Sequence, residues 1–397
     1  MATRNTIAFD AYAQRVAVDQ FKPQVGFIRD ALFGILRSRD TMLASWARAL
    51  REPRRLIHTE KRLSNGLKSA RFDDRSFEAA LLDISSGLVQ RHCDCIAVDE
   101  TDLRKNYGRK MPFLAWVHDG SKKELCRGWV VHRADGISTR GTHVPLHSRV
   151  MSREDPGYRD DHDELRTFLK SALRDIPASM PIVFDRGYDD RARRKMFKDL
   201  NLRSIVRLKT GESFGARVVV AAGRRTTLEE LVARTELGDR FRISKFSSAA
   251  RRPWLASVGW TRDIKFVSPR GEPEPWSYSV VVIHGHVEDA PPMVLLTSDA
   301  VHTAVQARQV AQRYFSRWGT EECHRLMKAE FGLENLRALT WQGIKRIVLL
   351  VHAAFVFLAT LAFRKSGAKL AAMAPGFGRV PRFPYYRLAE LVLVLLS

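Results

Sequence analysis

CIAVDETDL (Cys95–Leu103) passes from four small or apolar residues straight into an acidic cluster. The run reads as a β-strand, and Asp99 stands at the point where it ends. PFLAWVHDG (112–120) and CRGWVVHRAD (126–135) follow as two more short apolar or β-branched runs, separated by polar, glycine-containing turns. Three successive strands are predicted. The pattern then alternates: a helix in DDHDELRTFLKSALRDI (160–176), a strand in MPIVFDRG (180–187), a helix in DDRARRKMFKDL (189–200) and a strand in SIVRLK (204–209). Strands followed by alternating helices and strands imply an α/β fold whose mixed sheet is covered by helices.

Outward from this centre the patterning changes on both sides. Residues 1–90 read as a helical N-terminal domain. IRDALFGILR (28–37) and MLASWARAL (42–50) have helical apolar spacing, and SFEAALLDISSGLV (76–89) starts with Ser76 as a cap. The bases Arg51, Arg54, Arg55, Lys61 and Arg62 lie between them, so this domain is either a DNA-binding unit or a packing domain with basic loops. Residues 91–209 form the first part of the core. Residues 210–292 read as a β-strand insertion, with ARVVVAA, RFRISKF, WLASVGW and WSYSVVVIHG as its strands and the Pro/Gly-rich loop SPRGEPEPW between the last two. Residues 293–365 are the second part of the core, where helical periodicity returns from Val301. Residues 366–397 are a C-terminal segment with turn chemistry in GFGRVPRFPYY before the apolar LVLVLLS.

Composition bounds the function. The chain has 397 residues, enough for two or three domains. Lys and Arg number 66 against 44 Asp and Glu, a formal +22, which points to a polyanionic partner, nucleic acid before acidic membrane. The N-terminal MATRNTIAFDAYAQRV lacks an apolar signal core, and four cysteines without a C-x-x-C pair read as reduced thiols rather than zinc ligands. IVLLVHAAFVFLATLAF (347–363) falls somewhat short of the roughly 20 residues a membrane span needs and contains His352, so it reads as a buried core helix. The expected location is cytoplasmic, with no membrane partner.

Three acids stand out by position. Asp99 and Asp185 each end a predicted strand, where sites of open α/β sheets collect. Glu321 lies within YFSRWGTEECHRLMK (314–328). Read as one helix at about 100° per residue, Tyr314, Arg317, Glu321 and Lys328 fall within a stripe about 60° wide. A solvated face with chance ion pairs is the ordinary reading of such a stripe. Here the acid sits among bases on its own face, which suits a metal ion beside phosphates. Three converging carboxylates repel one another without a cation, and their hard oxygens suit Mg²⁺ or Mn²⁺, two such ions serving phosphodiester chemistry. Glu100 and Asp102 compete for the first position; Asp99 is preferred because it follows the apolar strand directly.

At these residues the chain resembles the bacterial insertion-sequence DDE transposases. Tyr314, Arg317, Glu321 and Lys328 match their Y-x-x-R-x-x-x-E-x-x-x-x-x-x-K signature, VDETDL and VFDRGYDD look like their two Asp motifs, and GLENLR is similar to the segment after their signature helix. The resemblance spans roughly 94–345. It implies an RNase H-like catalytic core interrupted by a β-strand insertion. It further implies Asp99, Asp185 and Glu321 as metal ligands, Arg317 and Lys328 on DNA phosphates, and Tyr314 supporting DNA near the cut. Arg186, beside the second Asp, joins the DNA contacts, as does the run RARRKMFK. The implied reaction is strand cleavage at element ends followed by strand transfer into target DNA, by a homodimer pairing two double-stranded ends at the nucleoid. A related nuclease without strand transfer, or an inactive DNA-binding derivative, are the alternatives. Met293 stands where hairpin-forming members carry a Trp, leaving Trp254, Trp260 or Trp276 as substitutes and the cleavage pathway open. DDHDE (160–164) reads as a helix cap and not as a metal cluster.

Overall fold

In the computed structural model, the described residues are 2–105, 107–108, 110–120, 124–209, 217–243, 254–285, 291–373 and 383–396. Along the chain the elements run α1 (Ala2–Val16), α2 (Lys22–Ser38), α3 (Leu43–Leu50), α4 (Leu56–Lys68), α5 (Asp74–His92), β1 (Cys93–Arg104), β2 (Ala115–Asp119), β3 (Glu124–Ser138), β4 (His143–Met151), α6 (Asp161–Ala172), β5 (Pro181–Phe184), α7 (Arg191–Asp199) and β6 (Arg203–Arg207). They continue with β7 (Val218–Ala221), β8 (Arg224–Thr227), α8 (Leu228–Arg234), β9 (Phe241–Ile243), β10 (Trp254–Phe266), β11 (Tyr278–His284), β12 (Met293–Thr297), α9 (Ala304–Ser316), α10 (Gly319–Arg325), α11 (Trp341–Ala362), α12 (Gly367–Ala372) and α13 (Tyr385–Leu395). The chain forms two compact units. The first comprises Met1–Cys93, Glu100–Asp175 and Thr320–Ser397; the second comprises Asp94–Asp99 and Ile176–Gly319.

In the first unit, α11 is the core element. Nearly all of it from Ile344 to Leu361 is buried, which accounts for its apolar sequence without a membrane. Its one buried cation, Arg346, is satisfied by the Asp74 carboxylate at 2.8 Å and by the carbonyls of Leu67, Ser69 and Phe72 at 2.7–3.2 Å. The Tyr12 hydroxyl donates to the Ala353 carbonyl at 2.6 Å, tying α1 to the same helix. Strand β3 pairs antiparallel with β2 and with β4. Gly128 of β3 lies so close to the Leu103 carbonyl of β1 that a Cβ would approach it to 2.4 Å.

The second unit starts from three parallel strands. β1 pairs with β5 (Ile96↔Ile182 to Val98↔Phe184), and β5 pairs with β6 (Pro181↔Arg203 to Phe184↔Val206). From β6 the sheet turns antiparallel through β12, β11 and β10. The insertion adds β7, β8 and β9 to β10. Its core is aliphatic, with Val219, Leu228, Ile264, Val280 and Val282 all inaccessible to solvent, and Trp276 packs against it. The strand neighbours, β4-β3-β1 in one unit and β1-β5-β6 in the other, are those of an RNase H-like core. A helical N-terminal portion and the β-rich insertion complete the fold class read from the sequence.

Three local readings change. A fourth strand, β4, follows β3; its residues are buried on both faces at all but one position, so THVPLHSRVM carries no alternation to betray it. Helix α5 is capped by Asp73, whose carboxylate accepts from the Arg75 and Ser76 N–H groups, and Ser76 lies inside the first turn. The segment from Tyr314 to Lys328 is not one α-helix. Arg317 and Trp318 bond back to the carbonyls of Tyr314 and Phe315, three residues earlier, which tightens the chain between α9 and α10, and Leu326–Glu330 is a π-helical turn. Met293 starts β12 and is buried. The DDHDE cap is as read: Asp160 accepts from the Asp163 N–H at 2.8 Å. The end of RFRISKF and most of GFGRVPRFPYY lie outside the described residues.

Candidate active site

The second unit places two acids at matching strand ends. In the parallel pair of β1 and β5 each residue faces the one 86 positions later, so Asp99 and Asp185 occupy the next register position after Val98↔Phe184. Neighbouring strands lie about 4.8 Å apart, so parallel pairing alone sets the two carboxylates side by side. Extending the β5–β6 register by one residue beyond Phe184↔Val206 adds Arg207 to the row. Sequence reasoning missed Arg207. Its signal was the same as for the aspartates, a charged residue directly after an apolar run, SIV.

A buried cation answers the two acids. Arg317, 5% exposed, donates through Nη1 to Asp99 Oδ2 at 2.9 Å, and its Nη2 lies 3.5 Å from Asp185 Oδ1. Burial works against the charge of the guanidinium, but the carboxylates of Asp99 and Asp185 more than compensate and raise its pKa above that of an ordinary arginine. Tyr314, fully buried, donates its hydroxyl to Asp185 Oδ1 at 3.0 Å, and burial pushes its own pKa up to about 12. For Asp185, burial favours the neutral acid. The Arg317 charge, the Arg186 N–H, the Tyr314 hydroxyl and the Arg207 charge together outweigh it and hold the carboxyl below its usual pKa. Asp185 is therefore held ionised, with Tyr314 of α9 and Arg317 of the turn after it among the neighbours responsible.

The remaining sequence-derived residues are placed as follows. Arg186 is exposed in the short 3₁₀ turn Arg186–Tyr188 that follows β5. Glu321 is exposed in the first turn of α10, in the first unit, and the second unit by itself unites only Asp99, Asp185, Tyr314 and Arg317. Lys328, also in the first unit, lies 3.2 Å from Asp102 and 3.8 Å from Glu334. Four of the five bases of α7 pair with acids of the protein: Arg191 and Arg194 with Glu274, Arg193 with Asp190 and Lys195 with Asp199, while Lys198 lies over the Tyr278 ring. Elsewhere in the first unit the buried side chains of Asp135, His143 and Cys323 bring potential ligand atoms within 4.8 Å of one another, but Asp135 is already held by Arg133 at 2.5 Å.

The donor set suits a hard divalent cation. Both groups at the strand ends are carboxylates, the oxygen ligands that Mg²⁺ and Mn²⁺ prefer, and the guanidinium lying against both shows that positive charge is accommodated there. Fold and site thus define an RNase H-like protein with an acidic, cation-attracting centre at the carboxyl ends of its parallel strands.

Comparison with known proteins narrows this class. Residues 93–357 match the transposase DDE domain, about two thirds of the chain, and the chain belongs to that family. No curated protein sequence matches it. Among solved structures, a piggyBac transposase synaptic complex with hairpin DNA is similar at 10% sequence identity and a TM-score of 0.44, over 97% of this chain and 76% of that one. Similarity at that level does not extend to function.

Proposed function

We propose that this transposase cuts DNA strands at the ends of an insertion element and joins the freed 3′ ends to target DNA, using Asp99, Asp185 and Glu321 to hold two Mg²⁺ or Mn²⁺ ions. The observation that carries the reading is the row formed by Asp99 and Asp185 on adjacent parallel strands, with Arg317 against both. Glu321 is the acid of the signature read from the sequence, four residues after Arg317 and in the first turn of α10, and it is assigned as the third carboxylate on that ground. When bound, divalent ions at such a site activate the attacking oxygen and stabilise the leaving one.

The chain's own residues prepare that site. Arg317 and Tyr314 act through the aspartates: they fix the orientation of the carboxylates, and at Asp185 they favour the deprotonated form that can accept a cation. Arg186 and Lys328 are the proposed phosphate contacts, the first exposed beside Asp185 and the second on the turn beyond α10. The active form is a homodimer that pairs two double-stranded element ends on the nucleoid.

The test uses labelled element ends, target plasmid and Mg²⁺. Wild-type protein should yield cut ends and joined product, whereas Asp185→Asn and Glu321→Gln should still bind the ends and yield neither. Cutting without joining would reduce the reading to a nuclease. Undiminished cutting by either variant would remove that residue from the catalytic group.

A further inference from the structure

The first unit carries a groove of about 1060 Å³ that the catalytic reading does not use. Its walls are Arg104, at the end of β1, with Lys105, Tyr107, Gly108, Lys110 and Met111 after it, and the segment from Glu334 to Leu339. Lys105 joins them: its Nζ donates to the Leu336 carbonyl at 2.9 Å and to the Glu334 carbonyl, so the two walls are fixed to each other by a buried ammonium. Among the described residues, four cations, Arg104, Lys105, Lys110 and Arg337, line the groove against one carboxylate, Glu334. That carboxylate is itself answered by Arg104 at 3.9 Å and Lys328 at 3.8 Å. Lys110 and Arg337 are exposed. The Lys105 pKa falls to about 8, because burial disfavours its charge and Arg337 repels it against the attraction of Glu334, so an arriving anion would be favoured further.

The groove also holds apolar surface of an uncommon kind. Tyr107 is 96% exposed and Leu339 is 70% exposed, beside these cations. An aromatic ring left fully in water at the mouth of a basic channel is the combination that binds single-stranded nucleic acid, with phosphates on the cations and an unstacked base on the ring. A folded duplex keeps its bases stacked and would gain nothing from Tyr107.

We propose that this groove holds a single DNA strand, with Lys110 and Arg337 contacting successive phosphates and Tyr107 stacking on an unpaired base. The proposal rests on the DNA-transposase reading and adds to it a site for the strand exposed when a duplex end opens.

The test measures binding of the full chain to a fluorescein-labelled 12-nucleotide single strand carrying 2-aminopurine, and to the matching blunt duplex, across a salt series. The Lys110→Gln/Arg337→Gln double variant should lower the single-strand salt slope by about 1.4, at roughly 0.7 per phosphate contact. Tyr107→Ala should weaken single-strand binding about tenfold and abolish 2-aminopurine quenching, leave duplex affinity unchanged, and be rescued by Tyr107→Phe. All three positions are exposed, so the variants should fold, which an unchanged Tm checks. If the wild-type chain binds both probes and every variant matches it, the groove proposal is overturned while the transposase reading stands. Equal losses on single strand and duplex from Tyr107→Ala would also overturn it. A wild-type chain that binds neither probe overturns both.

Discussion

Arg317 shows how much one side chain can carry. It is almost wholly buried between two carboxylates, and removing one partner from a buried ion pair leaves an uncompensated charge whose cost is about 3–5 kcal/mol. Arg317→Met should therefore destabilise the protein by an amount of that order in urea unfolding. Added Mg²⁺ should restore part of the loss in this variant and raise the Tm of Arg317→Met more than that of wild type, since the ion supplies the missing charge. No response to Mg²⁺ in the variant would speak against cation binding by Asp99 and Asp185. Lys105 makes a different prediction. Its folded pKa of about 8 lies below the unfolded value of 10.5, so between those values the unfolded chain binds a proton that the folded chain lacks. Stability from this residue is accordingly lowest below pH 8 and rises with pH up to about 10.5. The unfolding free energy of wild type relative to Lys105→Met should increase from pH 8 to pH 10, and a flat difference would contradict the assignment.

At the scale of the element, the decisive features are contacts that no local pattern announces. Gly128 is required by the close approach of β3 to the Leu103 carbonyl. Gly128→Ala must push two backbones apart and should cost about 1–3 kcal/mol, measurable as a shift in the urea midpoint. The start of α5 offers a cleaner comparison. Asp73 accepts from two backbone N–H groups and from the Ser76 hydroxyl, so Asp73→Ala should lower Tm more than Ser76→Ala does. The stretch from Tyr314 to Lys328 carries helical spacing throughout, yet its hydrogen bonds tighten at Arg317 and widen at Leu326–Glu330. Tertiary demands override propensity here: Arg317 is held by the aspartates and Lys328 by Asp102. Strand β4 was illegible for the opposite reason, because burial on both faces erases the period-two pattern by which a strand is read.

For the whole molecule the governing quantity is charge. With a formal +22, affinity for DNA should fall steeply and linearly with the logarithm of salt concentration, and a shallow response in a binding titration would undermine the phosphate-contact reading. The excess is not spread evenly. Much of α7 is paired with carboxylates, including Glu274 from a distant part of the chain, whereas the groove of the first unit retains cations in excess of acids among its described residues.

From the sequence alone came the alternation of strands and helices, the acids at strand ends, the apolar helix that had to be buried and the attraction to polyanions, because each follows from residue type and local spacing. Only the tertiary structure decided that Asp99 faces Asp185, that Arg207 extends their row, that Arg317 and Tyr314 turn inward upon them, and that Lys105 fastens two distant segments into a groove. Those outcomes depend on strand register and on which surfaces are buried together. Backbone hydrogen bonds between strands are much the same whatever the side chains, so the pairing of segments 86 residues apart is settled only when the whole core packs.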